Sequence, residues 1–263
     1  MTAALNPVAH TATLAPVRST LRVMFGTDSL PGMAPGLLVT DPMGWLPATS
    51  LTDGSRLPDL LEAAGRRWRA APHAAAALAW KAYTYWLALP PVLGWASARR
   101  VPLVRPEDVM VHFEDHRPLL TLGLRETVRV AVLPGDPLAL AGAPEVVVVP
   151  DEAALLAALR ASLVDAHLSP LLDRIREQVH LGRRTLMGSL ASGVAYGIIR
   201  AADALPGSTV ATVGTLLDAL DVADLIDLVP GPGGDLTVQR KTCCLAFTLP
   251  TPKVCSGCCI RKS

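Results

Sequence analysis

Cysteine is missing from the first 242 residues and then occurs five times in the last 21. A disulfide framework is a poor fit to that distribution, because five is odd and one short tail holds them all. Clustered thiols in a reducing compartment are more often ligands than bridges. Excess charge is lacking too: 24 Lys and Arg against 23 Asp and Glu leave a net +1, which argues against nucleic acid as a partner. A long uncharged apolar run is also missing, despite a mean hydropathy of +0.37. The best stretch, 74–95, carries Lys81 and Pro90-Pro91. A spanning helix needs about 20 apolar residues with few charges, so no transmembrane span is expected, and a peripheral membrane association stays open. Residues 1–20 lack a basic start followed by an unbroken apolar run, so a cytoplasmic location is expected. Gly-rich phosphate loops and Gly-x-Ser-x-Gly are absent. The chain is therefore expected to bind no nicotinamide or flavin of its own.

What remains is ample for a core: 263 residues, 51% of them apolar. Residues 1–55 are rich in Pro, Gly, Ser and Thr and read as irregular, with one or two strands. Leu60, Leu61, Ala64 and Trp68 recur at helical spacing, predicting a helix over 57–71 capped by Asp53 or Ser55. A second helix is predicted over 73–89, ended by Pro90-Pro91. The runs at 108–113, 119–123, 127–133 and 145–149 are short and rich in Val and Leu, and predict a small antiparallel sheet. Asp151 opens a helical region to residue 204, broken near Ser169-Pro170. A shorter helix or two follow in 207–228. Pro230-Gly-Pro-Gly-Gly234 is a turn or linker, with a short strand after it. The fold class is α+β. The expected division is a body over 1–230, which binds the substrate, and a C-terminal module over 231–263. That module is too short to bury a core alone and must lean on the body, on a metal, or on both.

The module reads Cys243-Cys244, ten residues, Cys255-Ser-Gly-Cys258, then Cys259. Four thiolates at one point will hold a metal or an iron–sulfur cluster. Cys255 to Cys258 has the spacing of a zinc knuckle; the adjacent pair does not. Neighbouring side chains of an extended chain face opposite ways, so placing both on one small ion strains the backbone, whereas a two-iron cluster spreads its ligand positions. Gly257 permits a tight turn with amides toward sulfur. Arg240, Lys241, Lys253, Arg261 and Lys262 give residues 240–263 a charge of +5 with no acid. Nearby cations favour the reduced form of an anionic centre.

The spacing Cys-Cys-x10-Cys-x2-Cys near the C-terminus resembles that of the FhuF-type ferric-siderophore reductases. The resemblance implies that Cys243, Cys244, Cys255 and Cys258 hold a [2Fe–2S] cluster; Cys259, directly after the last of them, departs from the pattern and leaves the fourth ligand open between Cys258 and Cys259. The stretch His180–Ser189, followed by an Ala/Gly-rich helix, is loosely similar to the family's last long helix. The implied activity is one-electron reduction of a ferric siderophore, with electrons from an external donor such as a ferredoxin or flavin reductase. No catalytic side chain beyond the cluster is implied. Arg183, Arg184, Arg240 and Lys241 are candidate contacts for an anionic substrate. The five tryptophans, all before residue 96, read mostly as core. Two other readings stand beside this one: a [2Fe–2S] carrier or sensor without a siderophore site, and a binding protein with a structural zinc clip. His112-Phe-Glu-Asp-His116 suggests a metal site, but Pro118 and the local polarity favour a turn.

Overall fold

The computed structural model describes residues 12–113, 119–231, 233–255 and 257–260. His116 and Pro118 lie outside them; the His112 ring lies 5.9 Å from that of Trp45. The architecture is α+β. Six main helices are α1 (Ala15–Phe25), α2 (Leu57–Trp68), α3 (Pro72–Ala98), α4 (152–178), α5 (Arg183–Arg200) and α6 (Thr209–Ala219). Nine strands complete the described fold: β1 (Met33–Leu38), β2 (Leu46–Pro47), β3 (Arg100–Pro102), β4 (Val109–Phe113), β5 (Leu120–Leu124), β6 (Val130–Val132), β7 (Val146–Val148), β8 (Ile226–Pro230) and β9 (Leu236–Arg240).

The core is organised on α3, which is apolar nearly all round. Trp80, Tyr83, Leu87, Val92 and Leu93 are buried along it, as expected of a helix with no polar face. Its main partner is α5; Trp80 Nε1 donates to Leu186 O across the two helices at 2.7 Å. Proline does not end this helix. Pro90 and Pro91 lie inside it, both buried, and it runs on to a left-handed cap at Arg99. Each interior proline costs about 3 kcal/mol, and the deep burial of the flanking turns offsets that cost.

Pro170 is likewise tolerated. A π segment over Ala161–Leu168 widens α4 just ahead of it, relaxing the ladder where the missing N–H would leave a gap. The break in this region falls instead at 179–182, between α4 and α5. Within the π segment, the buried His167 Nδ1–H donates to Val104 O (2.7 Å), and Nε2 accepts from the Tyr83 hydroxyl (2.6 Å). A carbonyl can only accept, which fixes the tautomer.

The N-terminal region departs from its irregular reading: α1 buries Leu14, Val17 and Leu21 at helical spacing. Asp53 and Ser55 do not cap α2, since Asp53 Oδ1 accepts from Ser55 N–H instead. Asp151 does cap α4, accepting from Ala154 N–H at 2.8 Å. The four Val/Leu runs are strands as expected, but they divide between two sheets, ordered β1-β5-β4-β2 and β3-β6-β7. β1 pairs with β5 and β6 with β7 in parallel, so the sheets are mixed rather than antiparallel. The span 207–228 contains a helix as expected, α6, but its end is strand: Ile226–Pro230 pairs with β9 in an antiparallel hairpin. Between the two strands Gly231 N–H donates to Asp235 O at 2.6 Å, and Gly234 sits at φ +81°.

Among the described residues one helix, Glu152–Gln178, is long and apolar enough to cross a membrane, and half of its apolar window is buried in the fold. The stretch 74–95 does not meet that test.

Candidate functional site

β9 packs against α5 and delivers the chain to the cysteines. The closest approach is at Gly188, where a Cβ would come 1.9 Å from Thr242 Oγ1, so only glycine lets the strand end this near the helix. The second knuckle then folds back on β9. Arg240 N–H donates to Gly257 O (2.9 Å), Gln239 Nε2 donates to Cys258 O (3.3 Å), and Cys258 N–H donates to Cys255 O (3.2 Å). A Cβ on Gly257 would lie 1.6 Å from Val238 O. Lys253 N–H to Ala246 O (3.0 Å) closes the intervening loop.

This fold-back gathers the thiols. Cys244 and Cys258 are buried, Cys243 and Cys255 half-buried, and Cys259 exposed. Burial pushes the Cys255 thiol up, aided by Cys244 and Cys258 and opposed by Lys81 and Arg240. Burial likewise pushes Cys259 up to about 11, aided by Cys243 and Cys258. Cys244 and Cys258 are thus the innermost thiols and Cys259 the outermost. Adjacent cysteines separate in this way because neighbouring side chains diverge. Leu245 adopts a left-handed φ of +60°, a conformation costing about 1 kcal/mol or more for a branched residue. The turn it makes aims its N–H at Cys243 Sγ, at 3.3 Å.

Arg240 is 3% exposed. Its Nη2 donates to Ser189 Oγ at 3.1 Å, while buried Nε and Nη1 have no partner among the described residues. A buried, half-satisfied guanidinium is costly unless an anion compensates it, and its charge is felt by the Cys255 and Cys259 thiols. Thiol donors, an N–H aimed at sulfur and an uncompensated buried cation are together what an anionic iron–sulfur centre requires. Among the described residues no three His, Cys, Asp or Glu side chains stand together closely enough to hold a single metal ion.

The other basic residues singled out by sequence lie around this segment. Arg184 pairs with Asp224, Lys241 with Asp227 at 2.7 Å, and Arg183 Nη2 reaches Ser169 Oγ at 3.5 Å.

A groove of about 390 Å³ opens between α3 and α5, within the usual range for small-molecule sites. α3 gives it Lys81 and Tyr85, α5 gives Ser189, Ser192, Tyr196 and Arg200, and Trp68 closes the α2 side. Burial raises the Tyr85 phenol pKa, and Arg200 opposes the rise. Of these groove residues only Lys81, Ser189 and Trp68 figured in the sequence reading, and none of them as part of a pocket. The signal was present in the i, i+4 spacing of 81 and 85 and of 192, 196 and 200. Of the tryptophans, only Trp80 and Trp95 are core; Trp45, Trp68 and Trp86 are half-buried, so fewer are core than expected.

The family described as ferric iron reductase FhuF-like transporter matches residues 78–217. That span is more than half of the chain. The chain belongs to this family. The FhuF-like match covers both long walls of the groove and stops before the first cysteine, so the family assignment and the thiol geometry rest on separate parts of the molecule. No curated protein matches the chain significantly.

Proposed function

We propose that this FhuF-like protein is a cytoplasmic ferric-siderophore reductase, with residues 231–263 as its cluster module. The observation that carries the reading is the fold-back of Gly257 and Cys258 onto β9 beside the buried, half-unpartnered Arg240, on a body whose family is described by ferric iron reduction. Cys243, Cys244, Cys255 and Cys258 are the residues that would hold a [2Fe–2S] cluster. Such a group supplies a one-electron relay when bound.

The chain's own residues prepare the place. Burial of Cys244 and Cys258 keeps water from the inner thiolates. Leu245 N–H stabilises negative charge on Cys243 sulfur. Arg240 favours the more negative redox state from its fixed position on Ser189. Lys81 extends positive potential from the thiols toward the groove. The electron count is simple: a reduced donor protein of the ferredoxin or flavin-reductase class loses one electron, and siderophore-bound Fe(III) gains it. Hard oxygen donors hold Fe(II) far less tightly, so the metal leaves and water protonates the freed donor oxygens.

The decisive experiment is anaerobic purification with visible absorption, then EPR after dithionite. A red-brown protein with an S = 1/2 signal on reduction is expected, and Cys244→Ser should abolish colour and ferric turnover together. A colourless protein with stoichiometric zinc, or undiminished turnover in Cys244→Ser, overturns the proposal.

A further inference from the structure

The C-terminal segment contains the dipeptide Cys-Cys twice, at 243–244 and at 258–259. In each, one thiol is turned in and its neighbour is turned outward. Cys244 and Cys258 are buried, Cys243 is half-buried and Cys259 is exposed. Divergence of adjacent side chains accounts for the split, and the fold-back onto β9 fixes its sense. Arg240 N–H holds Gly257 O at 2.9 Å and Gln239 Nε2 holds Cys258 O at 3.3 Å, which seats Cys258 and leaves Cys259 outside. A tetrathiolate centre takes four sulfurs, and the chain has five. With Cys243, Cys244, Cys255 and Cys258 as ligands, Cys259 is left over.

The leftover thiol is not solitary. It is hydrogen-bonded to the thiol of Cys243, the more exposed member of the other pair. Cys243 Sγ in turn accepts from Leu245 N–H at 3.3 Å, which orients that sulfur and supports negative charge on it. The two outward sulfurs therefore meet each other, one of them a ligand in the reading above and the other not. Thiols in contact are placed for oxidation to a disulfide. An accessible cysteine beside a partner thiol is the usual arrangement of a reversible thiol switch.

We propose that Cys259 is a switching thiol: in the cluster-free protein it closes a disulfide with Cys243, which withdraws one ligand and bars loading of the centre until the bridge is reduced. The bar to loading rests on the redox reading above; the bridge itself does not. The oxidant is a low-molecular-weight disulfide. Cys243 sulfur attacks it, one half leaves as a thiol, and the other half stays on Cys243 as a mixed disulfide. Cys259 sulfur then displaces that half. Two protein thiols lose two electrons and two protons, and the small disulfide gains both and leaves as two thiols. A dithiol reductase of the thioredoxin class runs the exchange backwards. Ligation of Cys243 takes its sulfur out of this exchange, so the switch acts before loading and not after it.

The test uses the full chain, freed of iron and reduced, then equilibrated in a glutathione redox buffer whose ratio leaves a solitary thiol mostly free. Remaining thiols are alkylated and the protein is digested with trypsin. Cleavage after Lys253 separates the two cysteine pairs, so the bridge joins peptide 242–253 to peptide 254–261, and fragmentation assigns its ends. The expected product is a single bridge from Cys243 to Cys259, with Cys244, Cys255 and Cys258 alkylated. The bridged protein should take up roughly a tenth or less of the iron and sulfide that the reduced protein incorporates. Cys259→Ser guards against misfolding, because that side chain is exposed. It should form no bridge and load to within about twofold of reduced wild type in either buffer. A bridge in another pair or between two copies, bridged protein that loads as well as reduced protein, or a Cys259→Ser protein that cannot load when reduced overturns the proposal. The two readings fail separately. A Cys243–Cys259 bridge in a protein that takes up no iron when reduced removes the cluster reading and leaves the bridge. A red-brown protein that forms no such bridge removes the switch alone.

Discussion

The α3–α5 pair and the segment from β8 to Cys259 are held together by different means. In the helical pair, Trp80, Tyr83, Leu190 and Val194 are buried almost completely, and the one polar group that Trp80 carries finds its acceptor on the opposite helix. Dispersion and apolar burial fix that geometry, with no need of a ligand. The C-terminal segment buries little apolar surface of its own. Its side chains Phe247, Val254 and Ile260 are exposed, and its interior contains Arg240 and Thr242 with buried polar atoms lacking partners. Glycines at 188 and 257 bring its backbone into contact with the body and with itself. A region built this way depends on what its thiols hold; the helical body does not.

The largest effect that can break this contrast is a side chain at Gly257. Gly257→Val places a Cβ where Val238 O stands, and backbone on both sides leaves no cheap escape. Loss of the metal centre and of at least 90% of ferric turnover is expected, with the far-UV spectrum and the melting of the helical body little changed. Proteolysis should then cut after residue 240 at a rate well above wild type. A Gly257→Val protein that keeps its centre, or one that unfolds as a whole, would show that the two regions are not independent in the sense argued here.

Sequence reading found the two regions unequally, and the reasons are physical. The strands at 109–113 and 120–124 were legible because Val and Leu runs bounded by Pro and Gly have few other uses. The cysteine spacing was legible because ligand sets are local in sequence. The passage of α3 through Pro90-Pro91 was not, because only tertiary burial explains why two lost hydrogen bonds are tolerated. Nor was α1, whose polar sequence APVRST hides the Leu14, Val17, Leu21 face. The groove is assembled from residues 68, 81–85 and 189–200, and no local pattern announces that three separated helices meet there. The hairpin of β8 and β9 was half legible: Pro230-Gly-Pro-Gly-Gly234 announces its turn, but the residues just before it continue the Leu, Val and Asp pattern of the preceding helix, which suits either state.

The body has a weakness of its own, smaller and of another kind. His167 is fully buried, and burial is the main cause that pulls its pKa down to about 4, with the Val104 carbonyl opposing. An unfolded histidine takes its proton near 6.5. Between those values the unfolded chain binds more protons than the folded one. Stability is therefore complete above about pH 6.5 and falls as pH drops toward 4, by on the order of 3 kcal/mol. Urea unfolding from pH 7.5 to 4.5 should reveal this slope in wild type and a flatter one in His167→Gln, which can keep both hydrogen bonds without titrating. Parallel slopes in the two proteins would assign the acid sensitivity to other groups.

The smallest effect concerns Lys241, which sequence reading had placed among the substrate contacts. Its ammonium lies 2.7 Å from Asp227 Oδ1, with both side chains about half exposed. An exposed pair of this kind contributes about 0–1 kcal/mol, and β8 and β9 are already tied together by their backbone pairing. Lys241→Ala should lower the melting temperature by no more than about a degree or two and leave ferric turnover within about twofold. The contrast with Gly257→Val is then direct: two substitutions in one segment, one removing an exposed ion pair and one blocking a backbone approach, should differ by roughly fivefold or more in their effect on ferric turnover. Equal losses from both substitutions would mean that the positive field of the whole tail, rather than its backbone packing, sustains the centre.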